Sequence, residues 1–347
     1  MTLQQRDALL QENWYIACMS KDIKSKRVFK TTIYDKNLIL FRNSEDKIVC
    51  LIDRCLHRHA PLSAGTLQNG HITCPYHGWT FDCEGKIAKI PSEDTPCSRY
   101  KQKVETFSVI EQDNFVWVWM GTKGAEKKKT PFSMPYDKGW THYVMETTFD
   151  NEVTHLAENF MDVPHTPYVH KGWFRDVQSK KVNIKVETKN GGVLVTYDTK
   201  DDKIGFINKL LNPHKLPLIH TDHFLMPNIT KVDYRFGQKT GFTIISQCTP
   251  ISTLKTKVYT AIIYRVVPSL DKIMIPFMNW YTRVVIEQDV KIMKIQGANI
   301  SNLEKPNFIG GKADIIHHEI EKLRKLGCET DDGFNSIERQ KETDIWI

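Results

Sequence analysis

Two short segments of this sequence each join one cysteine to one histidine: Cys55-Leu56-His57 and, after sixteen intervening residues, Cys74-Pro75-Tyr76-His77. Turn-forming residues surround both, with HAPLSAG after the first and PYHGW inside the second. Such a chain has to bring two loops together around a metal centre, each loop giving a thiolate and an imidazole. Zinc fingers place both cysteines in one half-site and both histidines in the other, whereas here each half-site is mixed. The eight cysteines (Cys18, Cys50, Cys55, Cys74, Cys83, Cys97, Cys248 and Cys328) are too sparse for a disulfide scaffold. The N-terminal stretch MTLQQRDALLQENW is polar and has no apolar leader. Reduced thiols and metal ligands in a cytoplasmic protein are therefore expected. Cys83 and Cys97 read as small apolar residues rather than further ligands. No apolar run approaches the roughly 18 residues of a membrane span. The net charge is +7, but Lys and Arg are spread along the chain. The one dense run, Glu126 to Lys129, reads as a solvated linker and not as a nucleic-acid surface.

At 347 residues the chain has room for about two domains. Short β-rich runs such as NLILFRNSEDKIVCLID and FVWVWMG, broken by turn residues, predict a β-domain over 13–122 after an N-terminal extension of 1–12. Residues 123–135, rich in Lys, Gly and Pro, read as a linker to a second domain over 136–347. There Val153, Leu156, Ala157, Phe160 and Met161 recur at helical offsets, predicting a helix over Asp150–Val163. Strand-like runs follow at Lys181–Thr199, His220–Tyr234, Thr240–Cys248 and Lys257–Val267, with a second helix over Val284–Gln296. This order predicts an α+β domain with an antiparallel sheet. The apolar, proline-broken stretch Lys203–Pro227 reads as a pocket wall or entrance rather than a regular strand.

A second constellation, Asp162-x2-His165-x4-His170, lies at the end of the first predicted helix. Histidines five apart diverge by roughly 140° on an ideal helix, so sharing a metal needs a break, which Pro164 and Pro167 supply. Two imidazoles and one carboxylate on one face of Fe(II) leave positions open for O2 and substrate. Asp162 is one candidate carboxylate. Asp289 is the stronger one: Val285, Ile286, Ile292, Met293 and Gln296 surround it on the second helix, and a buried carboxylate is costly unless paired or metal-bound. Asp314 and Asp331 are weaker alternatives. Asn159, one turn before Asp162, could face the same metal.

Cys55, His57, Cys74 and His77 form the ligand set of a Rieske [2Fe-2S] cluster, two cysteines on one iron and two histidines on the other. With CPYHGW as its second loop, the sequence resembles the Rieske non-haem iron oxygenases over nearly its whole length. Its length and the segment HKGWFRD are most similar to the branch containing vanillate and dicamba demethylases and alkaloid-tailoring hydroxylases. Ala60 and Tyr76 stand where respiratory Rieske proteins have a disulfide pair, and Trp79 stands where they have a hydroxyl donor, which implies a low-potential cluster. The resemblance implies an α+β protein with an N-terminal all-β Rieske domain and a C-terminal helix-grip catalytic domain. It implies that Asp162 links a cluster-ligand His to an iron-ligand His across a subunit boundary in a homotrimer. It also implies that His165, His170 and Asp289 hold Fe(II), the aspartate standing in the expected Glu287-Gln288-Asp289 context. The implied activity is that of a terminal oxygenase, hydroxylating or oxidatively demethylating an apolar or aromatic small molecule with O2. Arene cis-dihydroxylation and simple electron carriage are the alternatives. No G-x-G-x-x-G turn is present, so NAD(P)H would act through a separate reductase or ferredoxin, and the positive charge would suit an acidic partner.

Overall fold

The computed structural model describes residues 10–94, 96–122, 131–136, 139–173, 180–198, 212, 216–237, 240–267, 269–303, 306–329 and 333–347. It divides into two compact units, Met1–Met134 and Pro135–Ile347.

In the first unit, β1 (Trp14–Met19) pairs with β11 (Phe115–Trp119), which also pairs with β10 (Val109–Gln112). A second sheet orders β2 (Phe29–Ile33), β3 (Lys36–Arg42), β4 (Ile48–Ile52) and β9 (Thr106–Phe107). A third runs through β5 (Thr66–Gln68), β6 (His71–Thr73), β7 (Thr80–Phe81) and β8 (Ile87–Lys89). The apolar run Leu38–Phe41 of β3 explains this layering. Its alternate residues feed two cores: Leu38 and Leu40 pack with Tyr15, Ala17, Val116 and Val118, while Ile39 and Phe41 pack with Leu62, Ile72 and Phe81. A strand covered on both faces needs continuous rather than alternating hydrophobicity. Cys55 and Cys74 belong to the second of these cores.

The second unit is built on an eight-stranded antiparallel sheet. Its strands are β12 (Thr141–Phe149), β13 (Lys181–Lys189), β14 (Gly192–Tyr197), β15 (Leu218–Leu225), β16 (Ile229–Phe236), β17 (Thr240–Ser252), β18 (Lys255–Arg265) and β19 (Arg339–Trp346), in the spatial order β12-β18-β17-β16-β15-β14-β13-β19. Among the described residues, four helices join it: α1 (Val153–Met161), α2 (Thr166–Val169), α3 (Ile275–Ser301) and α4 (Ile315–Glu329). Ile316, Ile320 and Leu323 of α4, with Ala157 and Met161 of α1, cover the β13–β15 end. Met278 and Tyr281 of α3 pack on Tyr143, Phe242, Ile262 and Tyr264 at the other end.

Several sequence expectations shift here. The run Lys181–Thr199 is two strands, turning at Asn190 (φ 51°) and Gly191 (φ 69°), the Asn-Gly pair that a tight hairpin favours. His220–Tyr234 is likewise split, into β15 and β16. The helix expected over Val284–Gln296 begins at Ile275, because Pro276 sits in its first turn, where proline is tolerated. The expectation that Lys203–Pro227 avoids regular strand is wrong for Leu218–Leu225, which is paired on both sides. Residues 203–211 and 213–215 of that stretch, like Asp331, lie outside the described residues. Strands β12 and β19 and helix α4 complete the unit without counterparts among the predicted elements.

Candidate metal centres

In the first unit the two cysteine-bearing loops are closed by the same pattern of backbone bonds. Cys55 N–H donates to Ala60 O (2.9 Å) and His59 N–H to Cys55 O (3.0 Å); Cys74 N–H donates to Trp79 O (2.8 Å) and Gly78 N–H to Cys74 O (3.1 Å). The fourth residue after each cysteine takes a left-handed conformation, His59 at φ 57° and Gly78 at φ 71°. Gly78 is required twice over, since a Cβ there would stand 2.9 Å from Pro91 Cγ. The first loop is anchored by the buried carboxylate of Asp53, which accepts from Ser63 N–H (2.7 Å) and from the Ser63 hydroxyl (2.6 Å).

The thiols of Cys55 and Cys74 are buried and the two imidazoles lie further out, His57 half-buried and His77 exposed. The imidazole centroids are 4.5 Å apart, and the His57 ring stacks on Trp79 at 4.8 Å. Burial, together with the neighbouring Cys74, raises the Cys55 thiol, while burial and the neighbouring His77 lower His57. His57 Nδ1 is buried and has no hydrogen-bond partner. Two inner sulfurs, two outer imidazoles and an orphaned ring nitrogen fit a cluster with cysteines on one iron and histidines on the other.

In the second unit α1 ends at Met161, and Asp162 turns extended (φ −92°, ψ 100°) ahead of Pro164. The chain restarts as α2, with Pro167 in its first turn, and this break brings His165 and His170 together. Their Nε2 atoms are 3.3 Å apart, and Asp289 Oδ1 of α3 is 3.5 Å from one and 3.3 Å from the other. Donors held about 2.1 Å from one metal at right angles stand roughly 3 Å apart, so these three fit a single ion. His165, His170 and Asp289 form the one such group among the described residues. Asp314 instead lies 3.3 Å from His317.

Burial raises Asp289, but the two facing imidazoles outweigh it and draw the carboxyl down to about 2. Burial lowers His165, yet Asp162 and Asp289 push it up to about 9. Asp289 Oδ1 still lacks a well-formed hydrogen bond, as a ligand atom awaiting a cation would. Of the apolar neighbours expected around Asp289, Met293 is buried, Val285 and Ile286 are half-buried, and Ile292 is exposed.

Both histidines are held from behind. His165 Nδ1 donates to the Asp162 carbonyl, and Asp162 Oδ2 lies 3.6 Å away. His170 Nδ1 donates to Gln288 Oε1 at 2.9 Å. Both Nε2 lone pairs therefore point at the common centre. Helix α3 is fixed against the segment before α1, where Asn151 Nδ2 donates to Met293 O (2.7 Å) and Gln296 Oε1 (3.0 Å). Gly297 makes that approach possible, since a Cβ there would meet Asp150 O at 2.4 Å. Asn159 lines the same cavity, and its Nδ2 is buried without a partner.

The cavity over this centre measures about 120 Å³ and is walled by Phe149, Phe160, Val232, Ile244, Ile262 and Ile286. The sequence reading missed Gln288 as the partner of His170; nothing in the helical periodicity marks it. It also missed Asp222, which lines the cavity and could have been found from the inward-facing alternation Leu218, His220, Asp222, Phe224.

Residues 13–112 match the family model described as the Rieske [2Fe-2S] domain, and residues 149–315 match that of the vanillate O-demethylase oxygenase C-terminal domain. Protein TIC 55, chloroplastic, of Arabidopsis thaliana is 37% identical over 46% of this chain and 30% of its own length. The dicamba O-demethylase oxygenase component of Stenotrophomonas maltophilia is 35% identical over 46% of this chain and 47% of its own. These alignments span less than half of either relative. The solved structure of Pseudomonas putida NdmA with caffeine superposes with a TM-score of 0.77 at 20% identity, covering 96% of each chain, and so shares the fold.

Proposed function

This chain belongs to the Rieske non-haem iron oxygenases, and from that premise we propose that it is a terminal oxygenase component that hydroxylates or oxidatively demethylates an apolar or aromatic small molecule. The observation carrying this reading is the convergence of His165, His170 and Asp289 at the floor of an apolar cavity. Cys55, His57, Cys74 and His77 would hold the [2Fe-2S] cluster, and His165, His170 and Asp289 the mononuclear iron. When bound, the cluster supplies single electrons and the iron supplies reductive activation of O2 next to the substrate.

The chain's own groups prepare that chemistry. The Asp162 carbonyl and Gln288 fix the tautomers of His165 and His170, so that neither ring has to reorient to present its lone pair. Phe160, Ile244, Ile262 and Ile286 give the cavity an apolar side suited to an apolar or aromatic molecule. The Asp162 carboxylate lies beside His165 and is about a quarter exposed, and in a homotrimer it would accept a hydrogen bond from a cluster-ligand histidine of a neighbouring subunit. Electrons come from a separate reductase or ferredoxin that draws on NAD(P)H. The vanillate and dicamba relatives are demethylases by name, which favours oxidative demethylation over cis-dihydroxylation.

The test is iron content combined with electron paramagnetic resonance. A reduced-cluster signal and one nitric-oxide-reactive ferrous centre per chain are expected; a cluster without the second iron would indicate an electron carrier instead. Asp162→Ala should retain both metals while losing at least about tenfold in substrate-coupled oxygen uptake, and unchanged uptake would remove Asp162 from the electron route. Gln288→Leu should weaken ferrous binding by about 10- to 100-fold, the usual effect of losing an outer-shell partner, as read by competition with a chelator.

A further inference from the structure

We propose that Asp222 anchors the substrate through a hydrogen-bond donor, so that this pocket takes neutral or cationic, mainly apolar molecules bearing a hydroxyl or N–H group and disfavours carboxylates and sulfonates. The inference rests on the oxygenase reading above and narrows its substrate class.

Among the described residues, the cavity is lined by no Lys or Arg, and its carboxylates are Asp162, Asp222 and Asp289. The first and last belong to the metal centre. Asp222 does not: it stands on β15, within the inward-facing row, and is 1% exposed. Its partners across the ladder are Val195 of β14 and Val232 of β16, so the sheet itself gives no reason for a carboxylate. Burying one there is costly unless it has partners to satisfy it.

One such partner is His220, whose Nε2 donates to Asp222 Oδ1 at 3.0 Å. That imidazole is clamped between Tyr197 at 4.2 Å and Tyr234 at 4.1 Å, with planes 9° and 18° apart, and Tyr234 in turn stacks on Phe242 at 4.8 Å. Four rings on four successive strands thus prevent His220 from turning away. His220 is a positioning residue: it fixes the carboxylate at the cavity wall, where a donor on the substrate can complete the set. His220 Nδ1 is itself buried without a partner, so the arrangement is not a fully satisfied internal network. An anionic group brought to Asp222 would meet like charge at a water-poor wall that is apolar at Val232, Ile244 and Ile262 and otherwise offers the neutral hydroxyls of Thr230, Ser246 and Thr260 nearby on the sheet.

The test uses the metal-loaded full chain and three single-ring probes of one shape, 4-methoxybenzyl alcohol, 4-methoxybenzylamine and 4-methoxybenzoate, with affinities read by calorimetry. The alcohol and the amine should bind at least tenfold more tightly than the benzoate. Asp222→Asn, which keeps the shape and removes the charge, should weaken the amine at least tenfold and strengthen the benzoate. A preference for the benzoate, the same ranking in both proteins, or no binding of any probe would overturn the proposal. Should the variant fail to fold, the wild-type ranking alone decides. Normal iron signals without probe discrimination would defeat the anchor only; the expected ranking in a protein lacking the mononuclear iron would defeat the oxygenase reading and leave the anchor standing.

Discussion

Replacing Asp289 by Ala is expected to remove the mononuclear iron and to lower oxygenase turnover by more than about 10²-fold, beyond the range typical of losing an outer-shell partner. The reduced-cluster signal remains. Two histidines on one short segment hold a metal weakly when the third donor is missing, and among the described residues the carboxylate nearest the Nε2 atoms of His165 and His170 is that of Asp289, whose Oδ1 lies 3.5 and 3.3 Å from them. The change also truncates a buried carboxyl and so disturbs packing as well as coordination. Asp289→Asn separates the two effects because it retains shape while weakening the donor. Metal analysis beside the melting curve is the measurement. An alanine variant that keeps one ferrous ion per chain and full turnover would require another third ligand.

Replacing Cys74 by Ser gives the reciprocal result. The reduced-cluster signal disappears and substrate-coupled turnover falls to background, while the ferrous centre still reacts with nitric oxide. Cys74 and Cys55 belong to the core that also contains Ile39, Phe41, Leu62, Ile72 and Phe81, so a cluster held by them would tie its loops directly onto packed strands. Where metal binding is coupled to folding, losing the metal loosens the element that supplies the ligands. The first unit should therefore also melt earlier. A Cys74→Ser protein with an unaltered cluster spectrum would exclude this residue as a ligand.

The distinction between what the sequence reveals and what it hides follows from the range of the forces involved. The mixed loops around Cys55 and Cys74 are local: four donors, two turns and a glycine lie within a short stretch, and their spacing already dictates the closure seen at His59 and Gly78. The break after α1 is just as local, because Pro164 and Pro167 decide it. Asp289 was legible as a carboxylate on a largely apolar helix face, although Ile292 faces solvent. Gln288 was not, because its role exists only once α3 lies beside α2, a contact made far along the chain. Strands β12 and β19 were hidden for a similar reason. Both are edge strands whose exposed faces dilute the apolar alternation, and β19 is only intermittently buried.

The distance along the chain between the two parts of the mononuclear site has a consequence for its thermodynamics. His170 and the Gln288 that supports it are 118 residues apart, and Asp289 follows directly. A metal held by all three donors binds only where these distant segments are folded together, so its binding free energy adds to the stability of the fold. The melting temperature should therefore rise with ferrous ion concentration, and α3 and the α1–α2 segment should come apart together on heating.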